Sequence, residues 1–206
     1  MCIRDSYCWM HPHNELENMA FVELGNRAEN DLLLGLLDHA ESTCTIRGAT
    51  AQLARSNPPF LCTRLIKMLP GDRRGMGMDM DIANAIDILG DPRAVPALVS
   101  VLAPESKVYQ DPEMRVFQDI DGARCRAALA LGRFDTNDSR QALKAGLKNP
   151  SISVACAAAL YRISHDEEFL AILQAELSEN PYGWFIVSRL QEKLPDDKLL
   201  LSLIHI

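Results

Sequence analysis

The stretch Asp81–Leu102, DIANAIDILGDPRAVPALVSVL, decides the architecture of this protein. Apolar residues recur with helical spacing as far as Gly90, and a second helix with the same spacing is predicted to begin at Arg93. Between them, Asp91-Pro92 is a turn signal, and glycine is common where one helix ends before another begins. The stretch therefore predicts two helices joined by a short turn.

Four other segments repeat this pattern: Glu15–Leu37, Ile46–Leu69, Gly122–Leu147 and Ser153–Leu177. A weaker sixth unit begins near Trp184. One apolar position aligns through all six units, at Leu24, Leu53, Ile86, Leu131, Leu160 and Leu190, with spacings of 29, 33, 45, 29 and 30 residues. A hairpin of about thirty residues cannot bury its apolar face alone, so it must stack on its neighbours.

The composition agrees with an all-α fold. Alanine and leucine account for 23 and 28 of the 206 residues, whereas aromatic residues make up 6%, and this balance favours helices over strands. We therefore expect an α-solenoid of five to six stacked antiparallel helical hairpins. Small residues in the middle of each first helix, such as Ala83 and Ala127, allow neighbouring helices to approach closely, and Asp79 and Asp81 are expected just before a helix start.

Charge and hydropathy narrow the choice of partners. The net charge is −7, with 28 acidic and 21 basic residues, and an acidic surface weighs against nucleic-acid binding. The longest apolar run, Leu32–Leu37, is too short to cross a bilayer.

Four cysteines lie within helical patterns and are expected to be reduced thiols; they are Cys44, Cys62, Cys125 and Cys156.

The two ends of the chain have an unusual relationship. Leu201–Ile206, LSLIHI, can be encoded by CTGTCTCTTATACACATC, and the reverse complement, read one base on, gives the sequence of Met1–Ser6. The DNA element resembles the transposon ends used in sequencing libraries. We therefore expect residues 1–6 and 201–206 to be non-native, and residues 7–200 to be a repeat segment of a longer protein.

The segment Leu89–Leu102, LGDPRAVPALVSVL, resembles the HEAT repeat, in the short bacterial form found in phycobilin lyases and related proteins. The resemblance covers about Glu15 to Leu194. It implies antiparallel helix pairs in a curved solenoid, with the first helix of each pair lining the inner surface. Two units depart from the pattern, since Asn57-Pro58-Pro59 replaces the usual turn and the unit of Leu190 is degenerate.

Three arginines, Arg55, Arg133 and Arg162, share one repeat position, two residues after the aligned apolar position. Stacking of the units is expected to place them in register. Such a ladder has two interpretations. It is either a stripe for acidic partners or phosphates, or a structural device in which each arginine bonds aspartates or carbonyls of the turns.

Three further segments are candidate contact surfaces. The 45-residue spacing marks an insertion between Ala103 and Asp119, and its Tyr109, Met114 and Phe117 either contact a partner or fold back over the core. The segment Gly71–Met80 is a flexible surface or an ordinary connection. Trp184 either anchors a ligand or packs against a missing next repeat.

Signals for catalysis and metal binding are weak. The strongest candidates for metal ligands are Cys8, His11 and His13, but no fourth ligand lies nearby in the sequence. The HEAT-like hydroxylase that modifies a lysine derivative uses repeated His-Glu pairs, and no such dipeptide occurs here. No nucleophile motif is present.

We therefore expect a non-catalytic, cytoplasmic scaffold without a cofactor that binds a protein partner through its first helices and the insertion. Two alternatives remain. One is an accessory or lyase-type module that handles a chromophore or other substrate. The other is a regulatory module of a larger enzyme whose catalytic part lies outside this segment.

Overall fold

The computed structural model describes residues 12–39, 43–58, 60–69, 78–103 and 120–179. In these ranges the chain forms ten α-helices and a short 3-10 helix, and no strand. The helices are α1 (Pro12–Asn26), α2 (Asn30–Asp38), α3 (Thr43–Ser56), α4 (Leu61–Met68), α5 (Met78–Leu89), α6 (Val95–Leu102), α7 (Ile120–Leu131), α8 (Asn137–Gly146), α9 (Ser153–Ser164) and α10 (Glu167–Glu179); the 3-10 helix is Pro92–Ala94.

The helices pair in chain order into five hairpins. The first helices of the hairpins, α1, α3, α5, α7 and α9, pack one on the next. Each of the second helices α2, α4, α6 and α8 packs on the first helix of the following hairpin. The result is a stack of helical hairpins, so the predicted all-α solenoid is confirmed. The sixth unit, near Trp184, lies outside the described residues.

The apolar position used to align the units lies in the core. Leu53, Ile86, Leu131 and Leu160 are at most 1% exposed, and Leu24 in the first unit is half-buried against the same cluster. Small residues three positions earlier, Ala83, Ala128 and Ala157, are also buried. The first helices therefore meet through one large apolar side chain and its small neighbours in each unit.

The turn of the third hairpin has the predicted form. After α5 ends at Leu89, Gly90 adopts a φ of +64°, a left-handed conformation that favours glycine. The Asp91 side chain then accepts a hydrogen bond of 2.9 Å from the backbone N–H of Arg93. The α-helix begins only at Val95, because residues 92–94 form the 3-10 turn.

The expected position of Asp79 and Asp81 just before a helix is wrong. Because α5 begins at Met78, both residues lie inside the helix, and the Asp81 carboxylate is in its first turn, near the positive end of the helix dipole. From there the buried Asp81 accepts a hydrogen bond of 3.2 Å from Nε of Arg47 on α3. An acidic residue expected as a cap thus links two consecutive first helices.

The four helical cysteines are free thiols, as expected. Burial raises the pKa of Cys156 to about 12, and burial together with the charge of Asp91 raises the pKa of Cys62 to about 11. Such thiols stay protonated near neutral pH. Cys62 instead lies close to Asp91, where α4 packs on the 3-10 turn of the next hairpin.

No helix in the part of the chain that the structure describes is long and apolar enough to span a bilayer.

Replacement of Gly132 by alanine tests the close approach of α7 and α9. A Cβ at Gly132 would lie 2.9 Å from Cα and 3.2 Å from the carbonyl oxygen of Ala159, so backbone would have to move. We expect Gly132→Ala to lower the free energy of unfolding by about 1–3 kcal/mol, measured by urea denaturation.

Gly35→Ala is the matched control. Gly35 lies inside α2, and a Cβ there meets nothing within 4 Å. Since alanine has the higher helix propensity, this change is expected to raise the free energy of unfolding by about 0.5–1 kcal/mol. Equal effects of the two substitutions would contradict the close helix packing.

The Asp91 cap predicts a dependence of stability on pH. Its side-chain hydrogen bond from Arg93 lowers the pKa of the Asp91 carboxyl from an ordinary 3.8 to about 2. The stabilisation is therefore complete above about pH 4 and is lost as the pH falls towards 2. The stability difference between wild type and Asp91→Asn, measured by denaturation at pH 3–7, should be constant above pH 4 and shrink below it. A difference unchanged down to pH 3 would argue against the hydrogen bonding between Arg93 and Asp91.

Candidate interaction surface

The residue two positions after the aligned core residue points outwards in the second to fifth units. These positions are Arg55, Ile88, Arg133 and Arg162, which we call the outer row. Three of them are exposed and Arg162 is half-buried. Sequence reasoning missed Ile88, a side chain that is 53% exposed, although the alignment on Ile86 identifies its position.

The outer row lies at the carboxyl ends of the first helices. Arg55 and Arg162 are in the last turns of α3 and α9, and Arg133 comes two residues after α7 ends. The carboxyl end of a helix carries partial negative charge and unpaired carbonyls, which favour a cation. This placement explains why arginine recurs at the position.

Arg133 connects two consecutive units. Its Nη1 donates to the carbonyl oxygen of Asp87, and to that of Ile88 at 3.4 Å, in the last turn of α5. The guanidinium also lies over Gly90, where a Cβ would be 3.3 Å from Cζ of Arg133. At Arg133, the structure therefore shows the carbonyl bonding that one interpretation of the ladder predicts.

The other two arginines of the outer row behave differently. Arg55 donates from Nη1 to Oε1 of Gln52 on its own helix, at 3.3 Å. Arg162 has no hydrogen bond or ion pair with any described residue. Burial, and then the charge of Arg133, lower the pKa of Arg162, so the two guanidinium groups are close enough to repel each other.

Several other arginines in the described part of the chain form ion pairs with carboxylates. The pairs are Arg27 with Glu23, Arg47 with Asp81, Arg64 with Asp38, Arg93 with Asp91, and Arg140 with Asp135. Among the described residues, no carboxylate pairs with an arginine of the outer row. The row therefore keeps its positive charge.

The remaining predicted contact residues, Tyr109, Met114, Phe117 and Trp184, lie outside the described residues, as does most of Gly71–Met80. The insertion falls between α6 and α7, where the repeat spacing predicted it. Cys8 and His11 also lie outside the described residues, and the side chain of His13 is not described. Where side chains are described, no group of three or more histidine, cysteine, aspartate or glutamate residues is placed to hold a metal ion.

Stacked helical hairpins with small residues between the first helices define a helical repeat protein. Residues 123–149 match the family model of the PBS lyase HEAT-like repeat. The match covers most of α7, the turn that contains Arg133, and all of α8. The fourth hairpin is therefore a HEAT-like repeat, as the resemblance implied, and the other hairpins repeat its arrangement. No curated protein and no solved structure matches the chain.

The two bonding modes in the outer row predict different effects on stability. Arg133→Met removes the hydrogen bonds to the end of α5, and we expect it to lower the free energy of unfolding by about 1–2 kcal/mol. Arg55→Met removes a bond within one helix and should change it by less than about 0.5 kcal/mol. Thermal denaturation of both variants provides the comparison, and similar melting temperatures would show that Arg133 does not join the units.

Proposed function

We propose that this chain is a non-catalytic HEAT-like repeat scaffold that binds a protein partner through the outer row. The observation that carries the proposal is the exposure of Ile88 between arginines, in a row that continues over four consecutive units. Protein interfaces combine an apolar centre with arginine more often than the rest of a protein surface does. A stack of repeats supplies such a row on a rigid, regular support.

Other exposed apolar side chains lie at the beginning of the stack. They are Met19 and Val22 on α1, Leu32 and Leu36 on α2, and Phe60 just before α4. We assign the partner contact to the outer row because, among the described residues, this row alone combines an exposed apolar residue with charges that repeat from unit to unit. In this proposal the protein acts in the cytoplasm.

Site-specific photo-crosslinking tests the proposed function. A photoreactive phenylalanine analogue is placed at Ile88 and, as the matched control, at Ser100, which is exposed on α6. In extracts of the source cells, we expect irradiation to give a discrete crosslinked protein from position 88 and none from position 100. Equal yields at both positions, or none at position 88, would refute a partner surface at the outer row.

The second candidate function is an accessory, lyase-type module, or a regulatory module of a larger enzyme. It is favoured by the description of the matched family, which names a lyase. Incubation of the chain with a free bilin separates this candidate from the scaffold. A shift in the absorbance of the bilin on binding would support the lyase-type role, and an unchanged spectrum is expected for the scaffold.

A further inference from the structure

We propose that the outer row binds an extended acidic segment of the partner, with carboxylates on its arginines and an apolar side chain on Ile88. This inference rests on the proposed function and specifies the chemistry of its partner. It is carried by the contrast between the outer row and the five described arginines that form ion pairs, together with the spacing of the row.

The first argument is the charge balance. Acidic residues outnumber basic ones by 28 to 21 in the whole chain, and five arginines elsewhere on the described surface have carboxylate partners. In contrast, the hydrogen bonds of Arg55 and Arg133 go to a side-chain amide and to backbone carbonyls, which are neutral acceptors. Within an acidic chain, the outer row is thus a local positive strip that a carboxylate-bearing partner can neutralise.

The second argument concerns the unused donors. A guanidinium has five N–H donors in a planar fork that matches a carboxylate. Arg133 donates hydrogen bonds to the described residues only through Nη1. The N–H groups of its Nε and Nη2 can therefore donate to a ligand. Burial, and then the charge of Arg133, lower the pKa of Arg162, and a carboxylate at the two arginines would relieve their mutual repulsion.

The third argument is the repeat spacing. Packed helices lie about 8–10 Å apart, so the backbone positions of neighbouring members of the outer row are separated by about that distance. The guanidinium of Arg133 reaches back to the end of α5, so a carboxylate bound there would lie nearer to Ile88 than this spacing. An extended polyproline-type peptide rises about 3.1 Å per residue with three residues per turn, and therefore presents every third side chain on one side at about 9 Å. A segment with the pattern acidic, apolar, acidic, acidic at every third residue would meet Arg55, Ile88, Arg133 and Arg162 in order.

The probe is a fluorescein-labelled peptide of ten residues. It has glutamate at its first, seventh and tenth positions, leucine at its fourth, and proline and alanine elsewhere. Fluorescence anisotropy with the full chain is expected to show saturable binding that weakens as the salt concentration rises. A peptide of the same composition with its acidic residues placed together should bind at least threefold more weakly.

The variants leave Arg133 in place because it joins two units. We expect the double variant Arg55→Glu, Arg162→Glu to bind the probe at least tenfold more weakly. The matched control is Lys144→Glu, Lys148→Glu, which makes the same change in net charge at two exposed positions of the fourth unit and should bind within twofold of wild type. Circular dichroism melts check that both fold. If the double variant has a lower melting temperature than the wild type, the single variant Arg162→Gln takes its place. It is expected to weaken binding about threefold.

Three outcomes would overturn the proposal. They are absence of saturable binding to the wild type, equal weakening in the variant and the lysine control, and tighter binding of an oligothymidylate than of the peptide through the same arginines. The last result would assign the strip to nucleic acid. If position 88 still crosslinks a partner while the peptide fails to bind, the acidic segment is refuted and the proposed function stands; if the crosslink also fails, both are refuted.

Discussion

The close packing of one first helix on the next is the constraint on which the rest of the structure depends. At the contact of α7 with α9, Gly132 lies so near Ala159 that even a methyl group would displace backbone. Buried alanines and one large apolar residue per unit maintain this approach from hairpin to hairpin. Since a single hairpin has no core of its own, the stack depends on such contacts between hairpins.

The same packing brings the carboxyl ends of consecutive first helices together. Arg133 therefore reaches the carbonyls at the end of α5 and covers Gly90, and Arg162 comes within electrostatic range of Arg133. In the proposed function, the same residues stabilise the stack and bind the partner. An arginine that stabilises a helix end through neutral acceptors still carries a positive charge at the surface, where a carboxylate of another protein can bind it.

Sequence reasoning found the architecture because both of its signals are local. The turn at Gly90 and Asp91 and the apolar position at Leu53, Ile86, Leu131 and Leu160 recur at a nearly fixed period, and the structure places them in a turn and in the core. It also predicted one register for the three arginines, and the structure places Arg162 within electrostatic range of Arg133. It missed Ile88, because only the arginines at this repeat position were considered. The alignment on Ile86 already placed Ile88 at the same position. It placed Asp81 before α5 instead of within it, since helix starts are set by only a few competing residues.

The sequence by itself determined that the chain forms helical hairpins of about thirty residues and that they stack, because hydrophobic periodicity and turn residues act over short distances along the chain. Only the tertiary structure decided which groups the arginines bond. Arg47 pairs with Asp81, whereas Arg133 bonds the carbonyls of Asp87 and Ile88 and the described residues give Arg162 no bond. These partners lie one unit away, across a helix contact whose distance and angle no local pattern specifies, so the charge left at the surface follows from the packing.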